Sequence, residues 1–144
     1  TGSLVQQSYW SITKTDIKTV MGAYFMWSQN PSGGLNQRKQ ALASSPNVIH
    51  SLDASLLQRV VNQLVLRGIH QIATVHDSFA VHFRHTEEMR DVIRQEAYRM
   101  FKHNWLKDGF HQYVQSNTSV ELPEPPSQGT FDVSEVLKSE YFFS

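Results

Sequence analysis

The chain contains no cysteine, which excludes disulfides, thiolate metal sites and cysteine nucleophiles together. An excess of one charge is missing too: 13 Lys and Arg balance 13 Asp and Glu. No basic coat for nucleic acid or anionic lipid can spread over such a surface, so any nucleic-acid contact must be local. No apolar run approaches the roughly 18 residues of a membrane span, and Thr1-Gly2-Ser3 opens neither a basic nor an apolar leader. No membrane partner is expected. The seven histidines include no His-Glu-x-x-His pair, no Gly-x-Ser-x-Gly elbow is present, and Gly33-Gly34 near Arg38 and Lys39 lacks the Gly-Lys-Ser/Thr of a phosphate loop. Zinc, serine-hydrolase and P-loop chemistry drop out. A first residue other than Met suggests a piece of something longer.

What is present is core-forming material. The 144 residues are 40% hydrophobic and 11% aromatic, enough for one domain that buries about two thirds of its unfolded surface. From Leu4 to Trp27 the mixture of Val5, Tyr9, Trp10, Ile12, Ile17, Val20, Tyr24, Phe25 and Trp27 with Gln, Ser and Thr favours strands. A hairpin turning at Thr13-Lys14-Thr15-Asp16 is expected, although Ile17, Val20, Met21 and Tyr24 also keep a helical spacing. Asn30-Pro31-Ser32-Gly33-Gly34 reads as a breaker, followed by a surface connection through Arg38 and Lys39 to Ser45-Pro46-Asn47. Leu52, Leu56, Leu57, Val60, Val61, Leu64 and Val65 predict an amphipathic helix to Arg67, with Ser51 as its cap and Gly68 at its end. Two short β-type runs, 71–75 and 79–83, flank the polar tip His76-Asp77-Ser78, and Thr86-Glu87-Glu88 caps a second helix to about His103. The fold class is α+β, with a helix–hairpin–helix core. Further helical pieces are expected over 106–115 and 131–137, separated by the extended spacer Leu122-Pro123-Glu124-Pro125-Pro126.

Asp77 at the tip of an apolar hairpin is a hard-oxygen donor in a place where a divalent cation such as Mg²⁺ could sit, since one or two carboxylates plus substrate phosphates complete its shell. The local sequence leaves open a polar turn in which Asp77 only bonds its own backbone. His50, before the Leu52 helix, is either a hydrogen-bond donor into a cleft or a packing and capping side chain. Arg38 and Lys39 read locally as a solvated loop.

Four ordered blocks resemble the carboxy-terminal part of the single-subunit, bacteriophage-type RNA polymerases, in their mitochondrial branch. Thr1-Gly2-Ser3-Leu4-Val5-Gln6-Gln7-Ser8-Tyr9 is similar to the family's Thr-Pro-x-Gly-x-Pro-Val-x-Gln-x-Tyr, without its prolines. Asn36-Gln37-Arg38-Lys39-Gln40 and Pro46-Asn47-Val48-Ile49-His50-Ser51-Leu52-Asp53-Ala54-Ser55 resemble Asn-x-Arg-Lys-Gln and Pro-Asn-Phe-x-His-Ser-x-Asp-x-Ser. Val75-His76-Asp77-Ser78-Phe79 resembles the block of the second catalytic aspartate, and Gly129-Thr130-Phe131-Asp132-Val133 with Tyr141-Phe142-Phe143-Ser144 resembles the family's ending. Two departures stand beside these: Leu56-Leu57 replaces a frequent histidine, and Phe79-Ala80-Val81-His82 varies on the usual small and polar residues.

The resemblance implies templated nucleotidyl transfer, with Asp77 as one of two Mg²⁺-binding carboxylates and His76 shaping the tip that carries it. His50, Ser78, Phe143 and Ser144 would contact RNA or substrate, the last two as an aromatic foot with a free carboxylate. Residues 5–38 would be a promoter-reading specificity hairpin, with Arg38 and Lys39 on DNA phosphates. The implied segments are 1–40 (specificity hairpin), 41–115 (palm segment) and 116–144 (spacer and foot). The implied partners are a DNA template and promoter, the RNA product, nucleoside triphosphates and the upstream part of the polymerase, on the same or another chain. That upstream part carries the other aspartate and the Arg, Lys and Tyr that hold the triphosphate, so this chain alone is expected to be inactive. The expected location is mitochondrial, with a plastid or a phage-infected bacterial cytoplasm as alternatives. The rival from another class is a non-catalytic, polymerase-derived subunit of a mitochondrial assembly. A weaker one is a DNA-binding module using the hairpin alone.

Overall fold

A computed structural model describes residues 6–142; Thr1 to Val5, from the first block, and Phe143 and Ser144 lie outside the described residues. The chain divides into two compact units, with the boundary between Leu52 and Asp53.

In the first unit, β1 (Trp10–Thr19) and β2 (Gly22–Leu35) form an antiparallel hairpin. The expected turn at 13–16 is corrected: those four residues lie inside β1, paired with Phe25 to Ser28, and the chain reverses at Val20-Met21. Gly22 supplies a positive φ of 136° there, and the Thr19 hydroxyl donates to the Gly22 carbonyl at 2.9 Å. The reversal goes where the backbone can adopt it. The breaker over 30–34 does not end the strand either. Ser11 pairs with Asn30 and Trp10 with Leu35, so the residues between bulge out of the ladder while Ser11 Oγ donates to the Gly33 carbonyl at 3.3 Å.

The expected surface connection beyond it is helical. The helix α1 (Gln37–Leu66) starts after Asn36, whose side-chain oxygen accepts from the Lys39 amide at 2.9 Å, and it runs through Pro46. Proline removes one helical donor and leaves the Leu42 carbonyl without it. Leu42 is exposed, so water can serve that carbonyl. Ser51 is mid-helix and not a cap, its hydroxyl donating to the Val48 carbonyl at 2.7 Å.

The second unit holds the last part of α1, from Asp53, then the strands β3 (Ile72–Val75) and β4 (Ser78–Val81) and the helix α2 (Thr86–Phe101). The expected helix–hairpin–helix is present. At the end of α1, Ile69 N–H donates to the Leu64 carbonyl and Gly68 N–H to the Val65 carbonyl, with Gly68 at φ 84°. This glycine C-cap turns Ile69 back onto Leu64. Val60, Leu64, Ile69, Val92 and Ile93 form the buried core, and Ile72, Phe79, Val81, Met89 and Phe142 pack around it. Between the two helices Glu96 is buried, and its carboxylate accepts from Arg59 Nε at 2.8 Å and from Arg99 on the next turn of α2. At the start of α2, Thr86 is the first helical residue and its hydroxyl donates back to the Phe83 carbonyl at 2.8 Å, so it is not the expected cap.

A π-helical stretch (Trp105–His111) leads into α3 (Gln112–Ser116), and irregular chain through the prolines reaches a 3₁₀ stretch (Val133–Lys138). Asp132 caps that stretch by accepting from the Ser134 amide at 2.9 Å, which holds its carboxyl below the usual aspartate value. Among the described residues no helix is long and apolar enough to cross a membrane.

Candidate functional site

The β3–β4 hairpin is tight. Val75 pairs with Ser78, leaving His76 and Asp77 as the two turn residues. Strand alternation puts Ile72, Thr74, Phe79 and Val81 on one face, of which Ile72, Phe79 and Val81 pack on the core. The other face carries Ala73, Val75, Ser78 and Ala80, all exposed. One face is thus anchored while the opposite face, lined mostly by small side chains, stays open.

The turn itself is unusual. His76 has φ 54°, the only positive φ at a non-glycine among the described residues. A positive φ at the first turn residue and not at the second follows the pattern of a turn that ordinarily places glycine first. An imidazole-bearing residue held there costs of the order of 1–2 kcal/mol, so the anchored strands must impose the conformation. Asp77 follows His76 as the second turn residue at the end of the hairpin. The Asp77 side chain is exposed and has no hydrogen bond or ion pair with another described residue. The structure therefore gives no sign of the backbone-bonded turn that the local sequence left open. Asp77 supplies one hard-oxygen donor, which fits one position in a Mg²⁺ shell and not a whole site. Among the described residues no three His, Asp or Glu side chains come together. A divalent cation at this tip would need its remaining oxygen ligands from elsewhere.

Ser78 opens β4 on the exposed face next to Asp77. His76, Asp77 and Ser78 are thus brought together on one tip. His50 lies on α1 in the first unit, exposed and without a polar partner among the described residues. Arg38 and Lys39 occupy the first turn of α1, not a loop, both exposed, and the Lys39 ammonium lies 5.1 Å from the centre of the Tyr9 ring. Phe143 and Ser144 are outside the described residues.

Sequence reasoning missed two arginines on α2. Arg90 and Arg94 both donate to the Glu140 carbonyl, at 2.5 and 3.2 Å. Their spacing of four puts them on one helix face, but nothing in the sequence names a backbone carbonyl as their target. The buried Glu96 was missed for a related reason: in sequence it is another charged residue of an amphipathic helix.

Comparison with known proteins agrees with the motifs. The profile of the DNA-dependent RNA polymerase family matches residues 1–114 and 107–144, and the chain belongs to that family, in the single-subunit, phage-type form. It is 31% identical over 143 residues to the chloroplastic DNA-directed RNA polymerase 3 of Nicotiana sylvestris, an alignment covering 99% of this chain and 14% of that protein. It is 29% identical over 143 residues to the mitochondrial DNA-directed RNA polymerase 1 of the same plant, again 99% and 14%. With the mitochondrial DNA-directed RNA polymerase 1 of Arabidopsis thaliana it shares 32% identity over 107 residues, 74% of this chain and 11% of that one. The chain spans about one seventh of the length of these Nicotiana sylvestris relatives.

Proposed function

We propose that this chain is the carboxy-terminal palm and fingers segment of a DNA-dependent RNA polymerase and supplies one of the two aspartates that bind catalytic Mg²⁺. The observation that carries this reading is Asp77, unpartnered on a hairpin tip whose neighbour His76 is held at φ 54°. Strain of this kind clusters where geometry serves function. Mg²⁺, when bound, supplies positive charge that favours ionisation of an RNA 3′ hydroxyl and steadies the departing pyrophosphate. Asp77 would hold it from one side, with its small-residue face leaving room for a nucleic-acid backbone. Ser78 and His50 would contact the RNA or the incoming nucleoside triphosphate, Phe143 and Ser144 would form the foot, and Arg38 and Lys39 would meet DNA phosphates beside the 1–40 specificity segment. Segments 41–115 and 116–144 would supply the palm portion and the spacer with foot. The other aspartate and the triphosphate-holding side chains would come from the upstream part of the polymerase, so the chain alone would not polymerise. Its setting would be an organelle, the mitochondrion with a plastid as the alternative, since the aromatic ending favours the mitochondrial branch over phage.

The test is Asp77→Asn in the complete polymerase, assayed for templated RNA synthesis. Synthesis should fall by a factor of the order of 10² or more with the fold intact. Unchanged synthesis would sink the assignment and leave the non-catalytic subunit. The isolated chain, given template, nucleotides and Mg²⁺, should make no RNA until the upstream part is added back.

A further inference from the structure

The strongest feature outside the Asp77 tip is the pair of arginines at the end of the chain. On α2, Arg90 and Arg94 each direct one terminal guanidinium nitrogen to the same acceptor, the Glu140 carbonyl. The other terminal nitrogen of each is tied to a carboxylate one turn earlier: Arg90 to Glu87 at 3.1 Å and Arg94 to Asp91 at 3.2 Å. Those carboxylates belong to the same helix, so each fork is shared between its own helix and the tail. The Arg94 side chain is only 14% exposed and Arg90 30%, low for residues that normally keep their heads in water. Two residues beyond the clamped carbonyl, Phe142 packs on the core. The tail is therefore attached twice, by a charged clamp and by an apolar anchor. Two attachments fix a direction for the chain, where one would leave a pivot.

We propose that Arg90 and Arg94 are positioning residues that seat the carboxy-terminal tail, and that this seat sets the apparent affinity for nucleoside triphosphate. The second half rests on the proposed polymerase reading, in which the tail contributes the foot. If only the seated state binds nucleotide well, the apparent affinity falls in proportion to the seated fraction. Two donors on one carbonyl also predict redundancy: either arginine alone keeps the tail seated, and losing both releases it.

The test uses the complete polymerase with Arg90→Gln, Arg94→Gln and the double variant, which keep much of the aliphatic stems. Amide hydrogen exchange over residues 139–142, read by mass spectrometry, should change little in the single variants and speed up roughly tenfold or more in the double one, with α2 unchanged. In the same double variant KM for nucleotide should rise about threefold or more while kcat holds, and Arg94→Lys on the Arg90→Gln background should restore much of it. A merely structural lesion would lower the amount of active enzyme without moving KM. Unchanged exchange in the tail would overturn the clamp. Faster exchange with unchanged KM would overturn the link to nucleotide. Should the double variant fail to fold, Arg90→Met/Arg94→Met, which keeps the aliphatic stems and removes the donors, is measured in its place, with exchange and KM decided in the same way. The exchange result stands apart from the polymerase reading, because Asp77→Asn tests that reading and does not touch the tail.

Discussion

The molecule contains two hairpins built on opposite plans. The β1–β2 ribbon is long and has Ile12, Tyr24, Phe25, Met26 and Trp27 exposed, with Val20 and Met21 bare at its tip. Its aromatic contacts are internal to one strand or one pair, such as Phe25 edge-on to Trp27 at 6.5 Å and the Lys14 ammonium 4.2 Å from the Phe25 ring centre. The β3–β4 hairpin has strands of four residues, yet one face is fastened to the core and its turn holds a histidine at positive φ. Two-stranded ribbons are marginal without a partner surface, whereas a short hairpin packed on helices can impose strain. Length does not decide which hairpin is rigid; anchoring does.

This contrast can be broken most forcefully from beneath the short hairpin. Leu64 is fully buried in the core on which β3 and β4 rest, and Leu64→Ala should cost about 2–5 kcal/mol in thermal or urea unfolding. A smaller effect separates the two turns. His76→Gly should stabilise by up to about 1 kcal/mol because it removes the left-handed penalty, while His76→Val should destabilise by a similar amount. A fall in Tm for the glycine variant would show that the imidazole itself holds the turn. Smaller again, Ile17→Thr on the exposed ribbon should shift stability by less than about 0.5 kcal/mol; a large loss would mean that the ribbon is anchored as β3–β4 is. The least effect is expected at Asp132. Its carboxyl is held below the ordinary value by the Ser134 amide, so its contribution is complete above the usual aspartate pKa and is lost as pH falls through the lowered value. Asp132→Asn should flatten that slight acid-side slope in Tm against pH.

The same contrast explains what could be read in the sequence. The β3–β4 hairpin was legible because Ile72, Phe79 and Val81 are apolar for a reason that acts through burial, and His76-Asp77 is the polar gap between them. The last part of α1 and the whole of α2 were legible on the same ground. The β1–β2 turn was not, because an exposed ribbon has no buried face to set a period; polar 13–16 then looks like a turn and Val20-Met21 does not. The start of α1 was hidden by Gly33, Gly34 and Pro46, each a breaker by residue type but tolerated here, in a bulge and on an exposed helix face. Of the candidate site, the Asp77 tip was visible as a motif. The strain at His76 and the arginine grip on Glu140 were not, since both are properties of the backbone and not of residue type.

Glu96 gives the helix pair of the second unit something that apolar packing does not. Leucine and valine surfaces fit one another at several offsets, and a slide of one turn would exchange one acceptable contact for another. The buried Glu96 carboxylate resists such a slide: Arg99 travels with it on α2, but the bond to Arg59 of α1 is made at one offset only, and losing it would leave a buried carboxylate with half its partners. The carboxylate works as an index mark, reading the register of α2 against the end of α1. The hairpin between those helices inherits that register, and with it the height at which Asp77 stands.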